Sequence, residues 1–94
     1  MTVAEPDERW AELGRRACVV LAPLFLAVKH VGSPAEPVID LMASTADPDA
    51  VDDAALAALG YRMLPSPQPG RLLYRREDYD STAYHLHVVV VEPT

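Results

Sequence analysis

A single cysteine, Cys18, is all the thiol this 94-residue chain carries, so no disulfide closes within it. A reducing, intracellular setting is the simplest reading of that scarcity. Basic residues are also in short supply: eight Lys and Arg stand against fourteen Asp and Glu, for a net charge of −6. A surface of that sign repels phosphate backbones and anionic lipid, so neither nucleic acid nor a membrane is an expected partner. Long apolar runs are missing as well. The most apolar stretch, "RRACVVLAPLFLAV", is broken by Pro23 and is too short to span a bilayer. A signal sequence is not expected there either: Glu5, Asp7, Glu8 and Glu12 precede the Arg15-Arg16 pair, and Lys29-His30 stands where small residues would mark a cleavage site. A cytoplasmic location follows as the expectation.

What is present suffices for a packed core. Half of the residues are hydrophobic, and a chain of this length buries roughly 60–65% of the surface it exposes when unfolded. Residues 1–5 read as a flexible tail and 6–94 as one domain. Pro6 and the acids after it suit a helix start, and Trp10, Leu13, Ala17, Val20 and Leu21 recur at helical spacing as an apolar face. Gly14 weakens that helix, and Pro23 ends or kinks it. Cys18 falls on the same helix as a small buried hydrophobe.

"LFLAVKHV" reads as a first strand, with Leu26, Val28 and His30 on one face and Phe25, Ala27, Lys29 and Val31 on the other. "PVIDLMAS" reads as a second strand in which Asp40 is the one charged member. "DPDAVDDAALAALGY" predicts a second helix, capped by Asp47, started at Pro48, favoured by Asp49, Asp52 and Asp53 at its positive end, and closed by Gly60. After the Pro-rich loop "LPSPQPG", the segments "RLLYRRE" and "YHLHVVVV" predict two paired strands. The order helix, strand, strand, helix, strand, strand indicates an α+β fold, with helices on one face of a mixed or mostly antiparallel sheet. The "HVVVV" run is the expected self-association surface if the sheet's other face is apolar.

The order of "DERWAEL", "KHVGS", "PVIDLM", "LAALGYR", "PGRLLYRR" and "YHLHVV" resembles the GrpB family, small bacterial proteins with a nucleotidyltransferase-like fold. The most specific parts are His30-Val31-Gly32-Ser33, Pro37-Val38-Ile39-Asp40 and His85-Leu86-His87-Val88. The resemblance implies a cleft in which a Gly-Ser turn holds a ligand's phosphates and strand carboxylates hold a divalent metal. Two departures argue against true nucleotidyl transfer. Only Pro34, Ala35 and Glu36 separate Ser33 from Pro37, too few for the helix that would present free amides to a triphosphate. The second carboxylate, two residues beyond Asp40, is Met42. Relatives also continue past the "HLHVV" strand into further helices, whereas this chain stops at Thr94, so a more open cleft is expected.

The remaining chemistry lies with the histidines. His85 and His87 are two apart on a strand and share a face. With His30 and Asp40 they form a candidate set for general acid/base catalysis. Gly32 and Ser33 are the ligand-binding turn implied by the resemblance, with Arg71, Tyr74 and Arg75 as further ligand contacts and Arg76 as a third available cation. No cofactor is required, no residue is assigned as a metal ligand, and a divalent metal is compatible with the set without being favoured. The expected function is binding or conversion of a small polar, anionic metabolite. The alternative is a noncatalytic dimeric or partner-binding module.

Overall fold

A computed structural model describes residues 6–31, 38–66, 68–78 and 82–91, with side chains from Trp10 onward. The expected flexible tail, 1–5, lies outside the described residues. Helix α1 runs Pro6–Leu21 and is followed by a 3-10 turn at Ala22–Leu24. Strands β1 (Ala27–His30) and β2 (Val38–Thr45) come next, then a 3-10 turn at Pro48–Ala50 and helix α2 (Asp53–Ala58). Strands β3 (Arg62–Leu64), β4 (Arg71–Glu77) and β5 (Ala83–Val90) complete the order. The five strands form one mixed sheet, β1-β2-β5-β4-β3, in which β2 and β5 are parallel and every other pair is antiparallel. This is the α+β architecture expected, with both helices contributing to a core on one face.

Alternation on the central strands sorts the side chains. Ile39, Leu41, Ala43 and Thr45 of β2 are buried, while Val38, Asp40, Met42 and Ser44 are half-buried. On β5, Tyr84, Leu86 and Val88 are buried and align with Ile39, Leu41 and Ala43. Ala17 and Leu21 of α1 and Leu56 of α2 close over this face. Each fully buried Leu there contributes about 1.5–3 kcal/mol of transfer free energy. Among the described residues, nothing covers the opposite face, and that asymmetry places the candidate site.

Several sequence-based expectations change. Val20 is 49% exposed rather than part of the core face. At about 100° per residue it lies about 60° from the centre of the stripe that Leu13, Ala17 and Leu21 define, at the edge of that face. The expected single helix after β2 is two pieces, each with its own Asp cap: Asp47 accepts from the Asp49 amide and Asp52 from the Ala55 amide. Gly60 does close α2, at φ 96°, with the Gly60 amide bonded to the Ala57 carbonyl and the Tyr61 amide to that of Leu56. That double bond to the last turn needs a left-handed residue, which glycine adopts without strain.

Strand β3 is not legible in the sequence, because three residues at a sheet edge fall below the length at which alternation shows. Of the "HVVVV" run, Val88 is fully buried, Val89 and Val90 are half-buried, and Val91 is 41% exposed. Among the described residues, no helix is long and apolar enough to cross a membrane.

Candidate functional site on the open sheet face

Register decides which candidate residues meet. Parallel pairing sets Asp40 of β2 beside His85 of β5, and Met42 beside His87. Adjacent strands lie about 4.8 Å apart and same-face neighbours about 6.6 Å apart along a strand, so one carboxylate reaches both imidazoles. Asp40 Oδ1 lies 3.9 Å from His85 Nδ1 and 3.7 Å from His87 Nε2. Both contacts are too long to be hydrogen bonds. The two rings stand edge to face, with centroids 6.4 Å apart and planes at 80°. All three side chains remain about a third exposed, at 33%, 33% and 28% for His85, His87 and Asp40.

His30 does not join them. Its partner across β1 and β2 is Leu41, so it projects toward the helices. Its ring lies against α1 where Gly14 has no side chain, and a Cβ on Gly14 would fall 2.5 Å from His30 Nδ1. Gly14, a weakness in helix propensity alone, is what admits this ring. The grouping of three histidines is therefore corrected to two, with His30 a packing residue.

Tyr74 is also reassigned. It is 2% exposed on the covered face, opposite Leu86, and its hydroxyl donates to Asp53 Oδ1 at 2.5 Å. Burial, and then this bond, push its phenol well above the ordinary range. It anchors α2 to the sheet and presents nothing to a ligand on the open face. Asp53, assigned from sequence to the helix dipole, is its acceptor. Tyr61 is buried nearby, and desolvation raises its phenol from 10.0 to about 12.

Arg76 turns inward as well. Its guanidinium stacks 4.1 Å from the Tyr84 ring centroid and 5.6 Å from that of Tyr61, and it pairs with Asp78 at 2.9 Å. Arg75 lies on the open face opposite His85 and pairs with Glu77 at 3.1 Å. Arg71 lies on that face too, opposite Val89, one same-face position beyond His87. Gly32 and Ser33 lie outside the described residues.

Two contributors escape sequence reasoning. Lys29 pairs with Met42 and so shares the open face, and Arg62 pairs with Arg75 on the same side. Alternation on β1 already separates Lys29 from His30, but only the pairing with β2 shows which of the two faces Asp40. Lys29, Arg62, Arg71 and Arg75, four of the chain's eight basic residues, thus meet only Asp40 and Glu77 among the acids on this face of the strands. A groove of about 270 Å³, lined by Ala27, Lys29, Met42, Ala43, Ser44 and Val89, runs beside the His87 position.

The donor set does not suit a magnesium-nucleotide centre. Magnesium takes oxygen ligands in near-octahedral geometry, whereas one carboxylate, Asp40, stands here with two imidazoles, Glu77 is paired with Arg75, and the thioether of Met42 lies two residues beyond Asp40. Cys18 is half-buried on α1, and burial raises its thiol above the ordinary value, which disfavours thiolate chemistry.

No curated protein matches this chain. Among solved structures, it is similar to the conserved protein GrpB from Enterococcus faecalis, with a TM-score of 0.67 at 24% identity over 95% of this chain. The match spans 60% of that longer protein's length, and at this identity it speaks to the fold alone. The family model described as GrpB protein matches residues 1–94, and by that match the chain belongs to the GrpB family.

Proposed function

We propose that the open sheet face binds a small anionic metabolite and that His85 and His87, beside Asp40, exchange a proton with it. The observation that carries this reading is the concentration of charge: a chain of net −6 gathers Lys29, Arg62, Arg71 and Arg75 on one face around two accessible imidazoles. Opposed like charges such as Arg62 and Arg75 cost stability across a strand pair. Cations tolerated in that arrangement suit an anion bound between them. The adjacent groove falls slightly below the usual range of about 300–1,000 Å³ for ligand pockets, which favours a small metabolite over a nucleotide. Imidazole is the side chain that exchanges protons near neutral pH.

Inorganic phosphate serves as a minimal probe. Titrated into the protein and followed by NMR of the imidazole C–H groups, it should shift His85 and His87 saturably and leave His30 unmoved. Arg75→Gln should weaken the response about tenfold or more, the range of one charge-assisted contact of about 1.5–3 kcal/mol. Equal shifts at all three histidines, or no saturation at millimolar phosphate, would remove the support for an anion site.

A further inference from the structure

We infer that Asp40, His85 and His87 form a binding site for a divalent transition-metal ion, with coordination positions left open to solvent. Ligand geometry carries the inference. The three donor atoms lie within 4.8 Å of one another, with Asp40 Oδ1 at 3.7 Å from His87 Nε2 and 3.9 Å from His85 Nδ1. Metal bonds of about 2.0–2.2 Å to N and O place tetrahedral ligands about 3.3–3.6 Å apart. The two edges to Asp40 therefore need to close by about half an ångström or less, and the edge between the imidazoles, which is within 4.8 Å, by about 1.5 Å at most. Side-chain rotation supplies that without moving a strand.

The backbone holds the set in place. Asp40 and His85 are register partners on the two strands of the parallel pair, and His87 is the next same-face residue. Among the described residues, no hydrogen bond uses the carboxylate or either imidazole, and their close polar contacts are with one another. Two nitrogens and one oxygen select zinc-like and neighbouring first-row ions over magnesium or calcium, which prefer all-oxygen shells. The partial exposure of all three groups leaves room for water or an exogenous ligand, as in sites where metal meets substrate. Lys29 and Arg75 oppose a cation here, but Arg75 is already engaged by Glu77. The same two cations favour an anion as the outer ligand.

Metal binding does not rest on the proton-exchange reading and describes a second state of the same face: a metal takes the lone pairs that exchange protons in the metal-free protein. The two are separated by measuring metal binding with no anion present. Tag-free protein, stripped with a chelator that is then removed, is titrated with Co²⁺ and followed by its visible ligand-field absorption; Zn²⁺ competition gives the affinity of the second ion. The expected result is one saturating equivalent, displaced by Zn²⁺ and not by excess Mg²⁺. His85→Gln and His87→Gln should each weaken binding at least tenfold, and His30→Gln should leave it unchanged. Circular dichroism on each variant confirms the fold being titrated. Absence of saturable Co²⁺ binding, or binding that survives in the folded His85→Gln/His87→Gln double variant, would overturn the assignment.

Discussion

Gly14→Ala is expected to destabilise the protein by about 1–3 kcal/mol, the cost of overpacking a filled site. Helix propensity argues the other way, since an exposed interior Gly→Ala change gains about 1 kcal/mol. The difference lies in what the methyl group meets. It would fall 2.5 Å from His30 Nδ1, 2.6 Å from Cγ and 2.8 Å from Cε1, inside any real carbon contact. Cγ sits close to the strand backbone, so the ring cannot clear the methyl by moving its far end alone. His30→Ala removes the obstacle. In that background Gly14→Ala should become neutral or stabilising, and a double-mutant cycle by urea denaturation should return a coupling of about 1–3 kcal/mol. Additive effects would mean that His30 does not occupy the space Gly14 leaves, and the case for His30 as a packing residue would fall with them.

The second large effect is expected at Arg76. Truncation to Ala should cost about 2–4 kcal/mol, drawn from three sources that act at one side chain. Stacking on Tyr84 and Tyr61 supplies cation–π attraction, worth about 2 kcal/mol when desolvated. The aliphatic stem fills space over the covered face. Asp78, 34% exposed, loses its partner, although that contribution is discounted because water reaches it. Arg76→Lys keeps the charge and loses the planar stack, so it should recover less than half of the deficit. Thermal and urea unfolding of both variants measure this directly. A loss below about 0.5 kcal/mol for the Ala variant would return Arg76 to the class of solvated surface charges.

These two residues show how far the sequence can be read. Apolar spacing locates α1, β2, β4 and β5, because a period of 3.6 or 2 is imposed by burial on one side and survives in the residue order. The same alternation puts His85 and His87 on one face and isolates Asp40 as the polar member of its strand. It cannot say which faces coincide, since that depends on pairing between residues more than forty positions apart, as with Asp40 and His85. Its neighbourhood to Gly32 and Ser33 groups His30 with the other histidines, yet its register with Leu41 turns it to the opposite side. The arginines carry the same ambiguity. Arg75 and Arg76 are adjacent and chemically identical, and one lies on the open face while the other stacks on two tyrosines. Tyr74 and Asp53 each have a plausible local role, and their bond across 21 residues is invisible to local reasoning. Lys29 and Arg62 become visible only when the pairing of both edge strands is known.

The central claim is that His85 and His87 serve the open face and do not hold the fold together. Their contacts with Asp40, at 3.9 and 3.7 Å, are too long to contribute hydrogen bonds, and both rings keep about a third of their surface in water. Residues placed for function in this way often cost stability, so their replacement tends to be neutral or favourable. Urea denaturation of the His85→Gln/His87→Gln double variant, without metal or added anion, tests the claim most directly. A functional placement predicts an unfolding free energy within about 0.5 kcal/mol of the parent, or above it. A loss of about 2 kcal/mol or more, the signature of a broken buried network, would contradict it and make the two histidines part of the structure.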